Sequence, residues 1–335
     1  MAGKFCDGFD YLVAANLNLK WDSSPSWSIF SGVYGKGKAV QGNANPLTHT
    51  LATNYASGMC AFHLQSVSLI AEQIHLWSDT GTIQVDLRRD VTGAFFFTRN
   101  GTTIGSTSSY RISAASTNWI EAQVIIHGSL GQANLYVNGV SVLTQTGLNT
   151  QATGNSYFNQ ISLKTQNANN SIFDNYHFWD FTVGDAATGF PYGEHIIEAS
   201  LAIAVGTNTT WNRGGTNTGN NYSQVNEANE DGDTTYVWMS SSGAGDIDSY
   251  GFATQQTPGS IGFVAINTIV RIDDAGPHTY EHYTLSSGSS NVSAALTPGA
   301  SYLNIQTFQG TDPHTSALWT TAGRNAAEFG FEFIS

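Results

Sequence analysis

Hydrophobic and polar residues alternate most clearly over residues 119–127, where Ile120, Ala122, Val124 and Ile126 fall on one side and Glu121, Gln123 and His127 on the other. A repeat of two marks a strand with one face on a core, because successive side chains leave a strand on opposite sides. Shorter runs rich in β-branched and aromatic residues predict further strands at 59–64, 70–77, 82–87, 93–97, 159–164 and 172–179. Two Asn-Gly pairs, Asn100-Gly101 and Asn138-Gly139, interrupt such runs. Both residue types accept the positive φ of the tight turn whose twist matches paired strands, so each pair predicts a hairpin. No stretch shows a sustained helical period with caps.

The pattern breaks at 185–193, where small residues, Gly and Pro replace the alternation and predict a linker. From Ile196 strand-like runs resume, at 234–239, 260–272, 278–285, 302–306 and 328–334, with a long Asn/Gly/Thr loop expected at 206–221. The chain therefore reads as all-β, in two domains at about residues 1–188 and 195–335. No internal repeat is visible.

Composition narrows the function classes. Of 335 residues 40% are hydrophobic and only 11% charged, with 8 Trp, 14 Tyr and 18 Phe, so the chain folds rather than staying disordered. Net charge is −13, and the one cationic pair is Arg88-Arg89. Nucleic-acid binding needs clustered cations and is excluded. No apolar run reaches the roughly 20 residues of a membrane span, so membrane insertion is not expected. Asp7 and Asp10 interrupt the N-terminal segment, which does not read as a signal peptide. Cys6 and Cys60 allow one bridge, but two buried thiols are the favoured expectation.

Four segments of the first block carry a resemblance. They are Phe5-Cys6-Asp7-Gly8-Phe9-Asp10, Trp119-Ile120-Glu121, the run from Gly131 through Val137-Asn138-Gly139, and Phe173-Asp174-Asn175-Tyr176-His177-Phe178-Trp179-Asp180. Together they resemble the concanavalin A-like, laminin-G-like lectin/glucanase domains, which implies an antiparallel jelly-roll β-sandwich. In the second block Val225-Asn226-Glu227, Asp231-Gly232-Asp233-Thr234-Thr235-Tyr236-Val237, Asp312 through Thr320 and Asn325 through Gly330 look like a segment that follows such jelly rolls in structural proteins of tailed bacteriophages. The pairing implies a virion protein, on head or tail, whose partners are other virion proteins and copies of itself, with a trimer expected by analogy. The alternatives are a carbohydrate-binding, receptor-binding tail protein and a degenerate glycoside hydrolase.

Retaining glucanases of this fold need two carboxylates about 5–5.5 Å apart, supplied by a Glu-x-Asp-x-Glu strand. Here Glu121 is followed by Gln123 and Ile125, and Arg88 stands between Asp86 and Asp90, where it is expected to hold both ionised. Neither nucleophile-elbow nor zinc spacings occur. The expectation is a non-enzyme without a required cofactor. Glu230, Asp231 and Asp233 form an acidic turn that admits calcium, although such a turn more often bonds its own backbone. Aromatic rings stack on pyranose faces, and Trp21, Trp27, Tyr34, Trp211 and Tyr222 lie in predicted loops as candidates for surface glycans.

Overall fold

The computed structural model describes residues 3–10, 14–23, 26–33, 37–167, 170–180, 191–216, 218–240, 243–257, 259–274 and 276–335. The chain divides into two compact units, Met1–Ile197 and Glu198–Ser335. In the first, the strands are β1 (Gly3–Asp7), β2 (Ser28–Ser31), β3 (Lys38–Gln41), β4 (Leu47–Tyr55), β5 (Ser57–Ser66), β6 (Glu72–Asp79) and β7 (Thr82–Arg89). There follow β8 (Phe95–Arg99), β9 (Thr102–Ile104), β10 (Thr117–Ile125), β11 (Gly131–Val137), β12 (Val140–Leu148), β13 (Phe158–Leu163) and β14 (Ser171–Asp180).

These strands form two antiparallel sheets. The larger has eight strands in the order β12-β11-β10-β5-β14-β3-β2, with β1 also paired to β14; the smaller has six, β4-β13-β6-β7-β8-β9. The chain changes sheet at β3→β4→β5→β6, at β9→β10 and at β12→β13→β14, so the unit is a jelly-roll sandwich and the all-β expectation holds. One core fills the space between the sheets. It takes Cys60, Phe62, Leu64, Ile120, Ala122 and Val124 from the larger and Ile74, Trp77, Val85, Leu87, Phe95 and Phe97 from the smaller. A hydrogen bond links the two sheets within it, between His75 Nε2 and the Tyr176 hydroxyl at 2.7 Å. Burial holds that imidazole neutral by pushing its pKa down to about 3. Cys6 and Cys60 are both buried and are not joined in a disulfide.

The predicted hairpins form. Asn100 and Gly101 have φ of 45° and 81°, Asn138 and Gly139 of 51° and 76°, and in each the flanking strands pair directly across the two-residue turn. Thr80-Gly81 and Ser287-Gly288 make the same turn with φ of 46° and 86°, and 46° and 84°. The short strands β2 and β3 and the longer β4 carry little periodicity and were not anticipated. The predicted linker falls largely on residues 181–190, outside the described residues. Residues 191–197 belong to the first unit.

The second unit contains β15 (Ala202–Thr209), β16 (Asn212–Gly215), β17 (Thr235–Trp238), β18 (Ile247–Phe252), β19 (Val264–Val270) and β20 (Tyr280–Ser286), then β21 (Ser289–Val292), β22 (Leu303–Gln309), the short helix α1 (Thr321–Ala326) and β23 (Glu328–Phe333). Five strands form one sheet, β15-β18-β23-β20-β21, beside the pairs β16-β17 and β19-β22. The loop expected at 206–221 instead carries the end of β15, all of β16 and the start of a 3-10 turn at Asn221–Gln224. Backbone pairing overrides the turn-forming composition there. Among the described residues its core includes two small clusters, Ala202/Tyr250/Tyr280/Phe331 and Ile266/Trp319/Ala327/Phe329. His282 is wholly buried between the hydroxyls of Thr268 and Thr307, at 3.0 and 2.7 Å. Among the described residues no helix is long and apolar enough to cross a membrane.

Candidate functional site

Alternation along β10 leaves Trp119, Glu121 and Gln123 on the face away from the core, yet all three are buried. The reason is the segment 191–197, which bonds to this face. Glu121 accepts the Tyr192 N–H at 2.7 Å and also the Gly193 N–H. His63 Nε2 meets Glu194 Oε1 at 2.7 Å, and Asn175 Oδ1 accepts the Ile197 N–H at 2.6 Å. Burial pushes the Glu121 carboxyl up to about 7. Its strand neighbours on this face are Trp119 and Gln123, and His177 stands two strands over, beyond Ala61. Glu121 is thereby an anchor for the chain that follows the sandwich. A depression of about 380 Å³ lies beside it, lined by Trp119, Asn138 and Glu194 among others, but its aromatic wall is buried and its carboxylate is engaged by His63.

The outer face of the smaller sheet has a different character. On β7 the side chains opposite the core are Gln84, Asp86 and Arg88; Thr98 on β8 pairs with Asp86, and Phe96 with Arg88. Gln84 is wholly buried and acts as a clamp. Its amide donates to Thr153 Oγ1 and to the carbonyls of Asn155 and Tyr157 at 2.8–2.9 Å, while its carbonyl accepts the Ala152 N–H at 2.6 Å. Asp79 holds the same loop through the Thr153 hydroxyl at 2.8 Å and the Asn155 amide at 3.0 Å. One end of the face is thus closed by residues 151–157.

At the other end the polar groups are chained together. Lys164 Nζ donates to Gln73 Oε1 at 2.7 Å, and Gln73 Nε2 to Asp86 Oδ2 at 2.8 Å. Arg88 Nε donates to the same oxygen at 2.6 Å, and the Thr98 hydroxyl to Asp86 Oδ1. Asp86 is buried beneath these donors, whereas the Arg88 side chain remains 29% exposed. Behind them Arg89 and Glu72 form a buried ion pair at 2.6 Å, and Glu72 also accepts from the Asn170 amide at 2.8 Å and the Ser171 hydroxyl at 2.7 Å. A depression of about 280 Å³ opens here, lined by Glu72, Gln73, Arg88, Arg89 and the half-buried Phe96. The expectation for Asp90 is corrected. Its carboxylate turns back to accept the N–H groups of Thr92 and Ala94 at 2.8 and 3.0 Å, so Arg88 engages Asp86 alone.

The predicted aromatic sites do not gather here. Trp21 is fully buried, its ring edge-on to Phe5 at 4.9 Å and its Nε1 donating to Asp7 at 2.8 Å. Trp27 is 2% exposed and donates to the Asn45 carbonyl at 2.9 Å. Neither is a surface platform: each indole has found an apolar bed and a polar partner inside the sandwich. Tyr34 lies outside the described residues. Trp211 and Tyr222 pack against a core cluster of the second unit, with Trp211 4.4 Å from Phe331. The exposed tryptophan of that unit is Trp238, at 44%. Of the calcium candidates, Asp231 accepts the Thr235 N–H at 3.0 Å, and Asp233 pairs with Arg271 at 2.9 Å and accepts the Tyr302 hydroxyl at 2.7 Å. Among the described residues no three His, Cys, Asp or Glu side chains, Glu230 included, are grouped to hold a metal ion. Sequence reasoning missed Gln73, Phe96 and Lys164, and saw Asp86 only as half of a failed carboxylate pair with Asp90, and Arg88 as the cation between them.

The fold defines the first unit as an antiparallel jelly-roll β-sandwich. No family model matches the chain, and no curated protein matches its sequence. Among solved structures it is similar to a galectin of Caenorhabditis elegans at 12% identity and TM-score 0.30, over 42% of this chain and 94% of that one. It is similar to alginate lyase Aly36B at 12% identity and TM-score 0.34, over 53% and 92%. A sialidase of Trypanosoma rangeli aligns at 9% identity and TM-score 0.34, over 54% of this chain but only 30% of its own length. These likenesses are of architecture only.

Proposed function

We propose that this protein is a non-catalytic binding module that attaches to glycans through the outer face of its smaller sheet. The observation that carries the reading is the chain Lys164–Gln73–Asp86–Arg88 beside Phe96. Sugar hydroxyls both donate and accept, and a set of amide, ammonium and guanidinium groups already fixed by mutual bonds meets them with little ordering cost. Phe96 supplies an apolar face for the C–H side of a ring. Absence of catalysis is supported by the state of the two carboxylates: Asp86 is buried under three donors, and Glu121 is committed to the chain that covers it. The test is a glycan array probed with the full chain, followed by reducing-sugar release on every ligand found. Binding without release is expected; release, or no binding at millimolar glycan, contradicts the reading.

The finer part of the reading places the protein in many copies on the outside of a tailed-phage particle. Its support is the sequence resemblance of the second unit. The resembling residues 312–319 form a bonded loop, in which Asp312 accepts the His314 N–H at 2.9 Å, Trp319 Nε1 donates to the Gln309 carbonyl at 3.2 Å, and Leu318 is left 67% exposed. Immunogold labelling of purified particles tests it. Label on head or tail is expected; label confined to lysed cells contradicts it.

A further inference from the structure

Arg88 is held in an unusual way for a surface arginine. Only its Nε is bonded, to Asp86 at 2.6 Å. Among the described residues the two terminal Nη groups make no hydrogen bond, although the side chain lines the 280 Å³ depression. Asp86 is itself fixed by Gln73 and Thr98, so the guanidinium plane is set from behind. A planar fork with both outer donors unused matches a carboxylate, which accepts two parallel N–H bonds.

The charge around the fork agrees. In a chain of net charge −13 with only 12 Lys and Arg, three of those cations converge here. Arg88 and Arg89 line the depression, and Lys164 reaches Gln73. Within the cluster they meet two carboxylates, Asp86 and Glu72, while Asp90, which also acts on Arg89, is bonded to its own turn. Lys164 and Arg88 remain partly accessible, whereas both carboxylates are buried. Of the charged groups that line the depression, Arg88 is the one left partly accessible.

We infer that the depression takes an acidic sugar, with the carboxylate of a uronic or nonulosonic acid residue on the Arg88 fork and its ring over Phe96. This deepens the glycan-binding reading and rests on it. A carboxylate in a bidentate, charge-assisted pair is expected to bind at least about tenfold more tightly than the same sugar without the charge.

The experiment is calorimetric titration of the full chain with oligogalacturonate, oligomannuronate, a hyaluronan oligomer and sialyllactose. Each is paired with its neutral counterpart, in which the carboxyl is reduced to a primary alcohol. At least one acid is expected to bind about tenfold or more above its neutral partner. Arg88→Gln should abolish that preference, leaving acid and neutral ligands bound with equal affinity. Arg88→Lys keeps the charge without the fork and should lose most of the preference; it also serves if Arg88→Gln fails to fold. Phe96→Ala should weaken acid and neutral ligands alike. Equal binding of acid and neutral forms, or a preference unchanged in both Arg88 variants, overturns the acidic-sugar inference and leaves glycan binding standing. Failure of every acid and neutral probe removes both.

Discussion

Glu121 is a carboxyl with no access to water, and that has a thermodynamic consequence. Folded, it keeps its proton up to about pH 7, whereas its ordinary value is 4.5. Between those values the folded chain binds more protons than the unfolded one, so this group lowers stability as pH rises from 4.5 to 7. Asp174, likewise pushed up to about 7 by burial, acts in the same direction. His63, His75 and His177 oppose them. Burial holds all three below their ordinary 6.5, so stability is lost as pH falls through that value. The sum conceals Glu121, but a difference measurement isolates it. Glu121→Gln preserves an acceptor for the Tyr192 N–H, and its melting temperature is expected to gain on the natural chain between about pH 5 and 7.5. A constant offset across that range contradicts the burial argument. At this scale the sequence was legible only in part. The alternation of Phe95-Phe96-Phe97 sends the outer two rings into the core and the middle one outward, and that rule alone would have singled out Phe96. Nothing local marks Trp21 as buried, because its bed is built from Phe5 and Tyr176, far away in the chain.

At the scale of elements, pattern and turn chemistry were reliable where both faces of an argument lay in one segment. The alternation in β10 and the two Asn-Gly hairpins are of that kind. Val124 is fully buried in the sandwich core, so Val124→Asp places an unpaired charge there, and a loss of more than about 4 kcal/mol is expected. An unchanged melting temperature would reject the strand assignment. Loop 151–157 is different, since its order comes from Gln84, about seventy residues earlier. Removing that amide leaves several backbone groups without partners. Gln84→Ala should cost roughly 2–4 kcal/mol and open 151–157 to protease, with the rest of the sandwich intact. Resistance equal to that of the natural chain would show that the loop is held by other means. The second face of β10 was misread for the same reason: a strand cannot announce that a segment some seventy residues later will cover it.

The two units differ in how completely they bury their apolar residues. Both units leave apolar side chains at the surface, Phe30, Val67, Val91, Leu130, Val140 and Ile196 in the first and Ile203, Val205, Trp238, Val292, Leu303 and Leu318 among those of the second, but among the described residues the sandwich has an extended core and the second unit only small clusters. Exposed strands and apolar side chains on one unit are normally covered, and copies of the same chain would also multiply weak glycan contacts into avidity. Light scattering at micromolar protein should find the full chain self-associated, most simply as a trimer, and the fragment 1–197 monomeric. A monomeric full chain contradicts the proposal that copies of the chain cover this unit. The glycan face of the sandwich is open to a direct check, a crystal structure of the full chain with the tightest ligand from the array. Ligand density is expected over Phe96, in hydrogen-bond contact with Gln73 and Arg88. Density in the depression beside Trp119 and Glu194, or on the second unit with the smaller sheet empty, would contradict it.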